Sequence, residues 1–121
     1  DLVCSANTVD CYNSKVVQAT MGSLTRVNIS YLDLETYLGS HNTSIFGTFM
    51  NGENIYTTAL PHEGIIVLGN EANGISDAIK LLVDRHITIP QFGDTKAAES
   101  LNVANASAIV LSEFKRRTIE M

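Results

Sequence analysis

The sequence is short of cysteine, of positive charge and of any long apolar run, and each shortage removes a class of protein. Cys4 and Cys11 are its only cysteines in 121 residues, and no second ligand pair accompanies them. A zinc site is therefore not completed, and no H-E-x-x-H surrounds His41, His62 or His86. No metal is expected, and the cysteines read as reduced thiols of a cytosolic protein. No stretch matches a membrane span or a signal peptide, and there is no low-complexity tract or internal repeat. Asn28, Asn42 and Asn105 each open an N-x-S/T sequon, a pattern that arises often by chance. The expected location is cytoplasmic, with no membrane partner.

Lys and Arg number 8 against 13 Asp and Glu, for a formal net charge of −5. Domains that grip nucleic acid unaided are usually basic, because phosphate neutralisation supplies most of the affinity. Bulk charge thus argues against independent nucleic-acid capture, and no DNA partner is expected. Motifs for other chemistries are missing too. No histidine stands near a Ser or Cys in a nucleophile context. The glycine-bounded segment at residues 68–74, L-G-N-E-A-N-G, lacks the Gly-Lys-Ser/Thr of a Walker A loop and the G-x-G-x-x-G dinucleotide pattern.

What remains is a chain of one-domain length, 45% hydrophobic, with alternating strand and helix signals. Residues 2–4 read as a strand end and residues 7–13 as a polar turn. A helix follows from Ser14, carrying Val16, Val17 and Thr20 or Met21 on one face and stopping at Gly22. Residues 26–31 alternate in β-formers and predict a strand. Asp33 is placed to cap a short helix through Leu34, Tyr37 and Leu38 that ends at Gly39. Residues 44–49 predict another strand, closed by an Asn51-Gly52 turn. Residues 53–60 fit either a strand edge or a loop. Ile65, Ile66, Val67 and Leu68 form the unbroken apolar run of a central parallel strand. Ser76 or Asp77 caps a helix through Ile79, Leu82 and Val83. Residues 86–89 form a short strand ended by Pro90.

The last helix is expected over residues 99–117, started by Glu99 and Ser100 and ended by Lys115, Arg116 and Arg117, whose charges suit the helix dipole. Leu101, Ala104, Ala108 and Leu111 lie on one face, and Val103, Ala106, Val110 and Phe114 on another. Such a helix should be buried on more than one side, against its own domain and against a second copy of the chain.

The class is therefore α/β, a mostly parallel sheet with helices on both faces. Ligands of such sheets bind at the carboxyl ends of the strands, here near residues 69–74 and 91–100. Glu71 is either a solvated loop residue or a site group. Ser100 and Asn102 are most simply helix-start residues.

Three ordered blocks resemble one family, the SpoU or TrmH-like RNA 2′-O-ribose methyltransferases of the SPOUT superfamily. Residues 10–22, D-C-Y-N-S-K-V-V-Q-A-T-M-G, are similar to V-D-x-Y-N-x-K-V-x-R-A-S-x-G. Residues 66–76, I-V-L-G-N-E-A-N-G-I-S, are similar to L-V-x-G-x-E-x-x-G-L. Residues 89–93, I-P-Q-F-G, with residues 99–117, E-S-L-N-V-A-N-A-S-A-I-V-L-S-E-F-K-R-R, are similar to I-P-M-x-G…S-L-N-V-S-x-A-x-x-I-x-L-Y-E-x-x-R. Together the blocks extend over nearly the whole chain.

The resemblance implies a deep C-terminal trefoil knot, an exception to the rule that chains do not thread themselves. It implies S-adenosyl-L-methionine as cofactor, a homodimer, and rRNA or tRNA as substrate. Carried over position by position, cofactor contacts fall on Thr48, Gly69, Ile89 and Leu101, and catalytic positions on Glu71, Ser100 and Asn102. The family's first motif, N-x-G-x-x-x-R-x-A, would precede Asp1. Residues 1–121 are thus expected to be a partial methyltransferase domain, N-terminally truncated, with the first strand and the arginine linked to the 2′-hydroxyl upstream. The competing expectation is a non-catalytic knotted module that binds cofactor or a protein.

Overall fold

The computed structural model describes residues 2–5, 27–69, 73–90 and 102–119. They fall in two compact units, Asp1–His41 and Asn42–Met121. In the first, strands β1 (Leu2–Ser5) and β2 (Ile29–Leu32) pair in parallel, with Leu2 opposite Ile29 and Ser5 opposite Leu32. Helix α1 (Leu34–Gly39) follows at once, because Asp33 caps it as expected: its carboxylate accepts from the Glu35 N–H at 3.2 Å. Leu38 is the buried residue of this helix. The helix expected from Ser14 and the turn at residues 7–13 lie outside the described residues, as does Cys11. Cys4 is half-buried in β1.

The second unit carries strands β3 (Ile45–Asn54), β4 (Ile65–Val67) and β5 (Arg85–Thr88), short helix α2 (Asp77–Lys80) and long helix α3 (Val103–Ile119). The strands are parallel in the order β4-β3-β5. Within this three-stranded sheet of the described residues, the unbroken apolar run is not the central strand. β3 takes the centre, and β4 stands at an edge among the described residues. The reason is local: β3 has Phe46 and Gly47, which accept a partner on each side, Ile66 with Arg85 and Val67 with His86. Asp84 fixes where β3 enters, its carboxylate accepting from the Ile45 N–H at 2.7 Å while its own N–H donates to the Ile45 carbonyl at 2.9 Å.

Asn51-Gly52 does not end β3. Thr48 and Glu53 both stand opposite Ile87, so residues 49–52 bulge out of a strand that then resumes. The turn chemistry of Asn-Gly serves that excursion. The helix after Ser76 is also shorter than expected. Ser76 caps it, its hydroxyl accepting from the Ile79 N–H, but Leu82 and Val83 belong to the turn that leads into β5.

Phe46, Ile55, Leu60, Ile87 and Val110 form the core of this unit, with Ile66, Ile89 and Phe114 packed on it. Phe46 meets Phe114 edge-to-face at 5.1 Å between centroids. Burying each such side chain contributes about 1.5–3 kcal/mol. Successive strand residues face opposite ways, so Phe46 turns to α3 while Gly47 turns away. A methyl at Gly47 would meet Val83 at 3.1 Å on that other face.

In helix α3 Val110 and Glu113 are buried, and Val103, Ala106, Phe114 and Arg117 are half-buried. The second apolar row stays out, with Ala104 and Ala108 exposed and Leu111 59% accessible. No helix of the described residues is long and apolar enough to cross a membrane.

Candidate functional site

Parallel pairing brings three of the expected site residues to one level of the sheet, at the ends of β4 and β5 and at Thr48, where β3 enters its bulge. Thr48 is on β3 opposite Ile87, Gly69 follows β4 by two residues, and Ile89 is the first residue after β5. Thr48 is half-buried, and its hydroxyl donates to the Val67 carbonyl at 3.5 Å, tying the ends of β3 and β4 together. Ile89 is half-buried on the core, so its position is set by packing rather than by the loop beyond it.

Gly69 is held where no side chain fits. A methyl there would lie 2.5 Å from the Gly74 carbonyl carbon and 2.6 Å from the Ile75 nitrogen. The two ends of the glycine-bounded segment therefore meet backbone to backbone. Gly74 sits at φ 68°, a left-handed conformation that glycine adopts without steric cost. Glu71 lies outside the described residues, as do Ser100 and Leu101.

Asn102 is described, and it serves as a helix cap. Its side-chain oxygen accepts from the Ala104 N–H at 2.8 Å, and its carbonyl accepts from the Ala106 N–H at 2.8 Å. Helix α3 accordingly begins at Val103, four residues later than the Glu99 start expected from charge. A short amide side chain reaches the second helical N–H well, which is why Asn is favoured at this position. The cap occupies only the amide oxygen. The NH2 group of an exposed residue is left to donate to a ligand.

The polar network of the far half of α3 escaped the sequence reading, which treated its cations only as dipole partners. Glu113 is 6% exposed and accepts from Nε and Nη2 of Arg116, at 2.9 and 2.6 Å, and from Nε of Arg117 at 2.7 Å. Arg117 then donates to the carbonyls of Thr58, Ile55 and Tyr56 at 3.0, 3.2 and 2.8 Å. The hydrogen bond from Arg116 leads in holding the Glu113 carboxyl down at about 2, with Arg117 adding to it, against the upward push of burial. The i,i+3 and i,i+4 spacing of Glu113 to Arg116 and Arg117 was the available signal. What it could not show is that the carboxylate is buried and that Arg117 clamps the turn after β3.

Among the described residues, no group of three or more His, Cys, Asp or Glu side chains could hold a metal ion. This end of the sheet instead offers a half-buried aliphatic side chain at Ile89, a hydroxyl at Thr48 and a close backbone crossing at Gly69. Apolar lining with a few polar groups is the usual make-up of a small-molecule site.

The chain is similar to known proteins in sequence and in fold. The model of the SpoU rRNA Methylase family matches residues 1–112. The chain is 28% identical to the 23S rRNA guanosine 2′-O-methyltransferase RlmP of Bacillus subtilis, over 94% of this chain and 46% of that protein. A solved structure from Porphyromonas gingivalis, of the TrmH family, superposes with a TM-score of 0.85 at 37% identity, covering 95% of this chain and 48% of that one. The SpoU methyltransferase AviRb of Streptomyces viridochromogenes, solved in complex with AdoMet, gives a TM-score of 0.84 at 26% identity, over 98% of this chain and 48% of that one. The chain thus spans about half the length of the relatives it matches. With the match running through both units and all three motif blocks, the chain belongs to the SpoU rRNA methylase family.

Proposed function

We propose that this chain is the cofactor-binding part of an S-adenosyl-L-methionine-dependent RNA 2′-O-ribose methyltransferase acting on rRNA or tRNA. The observation that carries the reading is that Thr48, at the bulge of the central strand, lies level with the ends of β4 and β5 that lead to Gly69 and Ile89, in a chain matched by the SpoU family over residues 1–112. AviRb, similar to this chain over nearly its whole length, was solved with AdoMet, which supports the choice of cofactor.

Bound at these strand ends, the cofactor would supply an electrophilic methyl group for in-line transfer to a ribose 2′-oxygen. The protein's part is then placement. Ile89 and Leu101 pack on the adenosine, Gly69 lets it approach the backbone, and Thr48 offers a hydroxyl. Ser100 and the NH2 of Asn102 orient the ribose or its phosphate, and Glu71 organises the site. Residues 1–121 belong to one methyltransferase domain, with the C-terminal segment threaded as a trefoil knot. The protein works in the cytoplasm as a homodimer, and the exposed row of α3, Ala104, Ala108 and Leu111, faces the second copy.

Calorimetric titration with S-adenosylhomocysteine tests the assignment directly. The chain binds it, and Leu101→Arg abolishes binding. A folded chain that binds none overturns the cofactor assignment and leaves a non-catalytic module. Size-exclusion chromatography with light scattering gives a dimer; a monomer at all concentrations overturns that part alone. A methylation map of RNA from cells lacking the gene identifies the target nucleotide.

A further inference from the structure

The bulge at residues 49–52 is built with more constraint than a strand irregularity needs. Phe49 folds back across Gly47, where a methyl would lie 2.6 Å from the Phe49 ring, and stacks on His86 at 4.0 Å between centroids. Gly52 presses on β5, where a methyl would lie 2.9 Å from the His86 carbonyl group. The Thr88 hydroxyl donates to the Met50 carbonyl at 3.4 Å. Beyond the bulge, Glu53 is ion-paired with Arg85. Both feet and the first side chain of the excursion are therefore pinned to β5.

Its tip is not pinned. Met50 is 55% accessible, and the exposed Asn51 amide makes no hydrogen bond within the described residues. Bulges cluster beside binding sites because the extra residues re-aim side chains without loosening the strand. Here the re-aimed pair comes two and three residues after Thr48, in the middle of the central strand. A thioether packs well on an aromatic face, and a primary amide offers both a donor and an acceptor to a base edge. Sequence-specific recognition of RNA generally reads unstacked bases by this combination of a packing surface and edge hydrogen bonds.

We infer that Met50 and Asn51 form a rest for an unstacked nucleobase of the RNA substrate, with Met50 against its face and Asn51 on its edge. The inference depends on the methyltransferase reading above. It adds a residue pair that selects the base, separate from those that hold the cofactor.

The test uses the full-length protein, saturated with S-adenosylhomocysteine, and four hairpin RNAs that present A, C, G or U in an otherwise identical loop. Binding is read by fluorescence anisotropy. Met50→Ala weakens all four RNAs by about two- to tenfold, the loss expected for a sulfur–aromatic contact. Asn51→Ala and Asn51→Asp change the ranking of the four. Affinity for S-adenosylhomocysteine and the thermal melt stay at the parent values, since both side chains are exposed. Variants that bind all four RNAs as the parent does overturn the nucleobase rest and leave the methyltransferase reading intact. A parent that binds neither S-adenosylhomocysteine nor RNA overturns that reading, and the rest falls with it.

Discussion

The bulge of β3 with the start of α3, and the last turns of α3, treat polar groups in opposite ways. At the bulge of β3 and at the start of α3, amide groups make no side-chain donor bond among the described residues: the NH2 of Asn102 and the amide of Asn51. In the far half of α3 they are consumed. The buried Glu113 takes two guanidinium groups, and Arg117 takes three carbonyls of the turn after β3. The basic cluster at residues 115–117 looks in sequence like a surface for phosphate. In the fold, two of its three cations are occupied by their own protein. The difference separates polar residues kept for a ligand from polar residues that hold the fold.

That contrast makes four predictions. Arg117→Ala should cost the most stability, about 3 kcal/mol, because it strips a partner from a buried carboxylate and releases three turn carbonyls. Urea unfolding measures it. The same variant should bind S-adenosylhomocysteine normally once folded, and a selective loss of binding would break the division between latch and site.

Acid should remove nearly as much. Glu113 titrates near 2 in the folded chain against 4.5 for an unperturbed group. Its folded pKa is depressed, so the stabilisation is complete above the unfolded pKa and is lost as pH falls from about 4.5 to about 2. The loss amounts to about 3 kcal/mol. Glu113→Gln should flatten that part of the stability curve; an unchanged slope in this window would show that other carboxylates carry it.

Gly69→Ala should reverse the pattern. The added methyl cannot share space with the Gly74 carbonyl carbon at 2.5 Å, so the segment must shift. The expected cost in stability is about 1–2 kcal/mol, with loss of S-adenosylhomocysteine binding as the larger effect in titration. Asn102→Ala should cost least, about 1 kcal/mol for a lost helix cap. Asn102→Asp keeps the capping oxygen and removes the free NH2. Parent-like melting with impaired methyl transfer by that variant would assign the amide to the substrate; parent-like transfer would leave it a cap alone.

How much was legible depended on whether the deciding interaction was local. The Asp33 cap, the Ser76 cap and the strands around Phe46 and Ile87 were readable, since a side chain within three residues or a period of two defines each. The three family blocks were readable because they are contiguous. Strand order was not, since an apolar run such as residues 65–67 reads alike at the centre or edge of a sheet. Nor was the bulge, because Asn51-Gly52 marks a change of direction without saying whether the strand resumes. The start of α3 was misplaced because acidic charge at Glu99 and an amide at Asn102 both suit a helix N-terminus, and only the Ala104 hydrogen bond chooses between them.

By itself, the sequence determined the α/β class, the family, and the small set of residues on which a site could be built. Local propensity and motif order are properties of neighbours along the chain, and they survive without a fold. Tertiary structure decided that β3 stands between β4 and β5, that Thr48, Gly69 and Ile89 share one level of the sheet, and that Glu113 neutralises the arginines beside it. Each of those outcomes joins residues far apart in sequence or buries a charge, and burial is a property of the packed molecule.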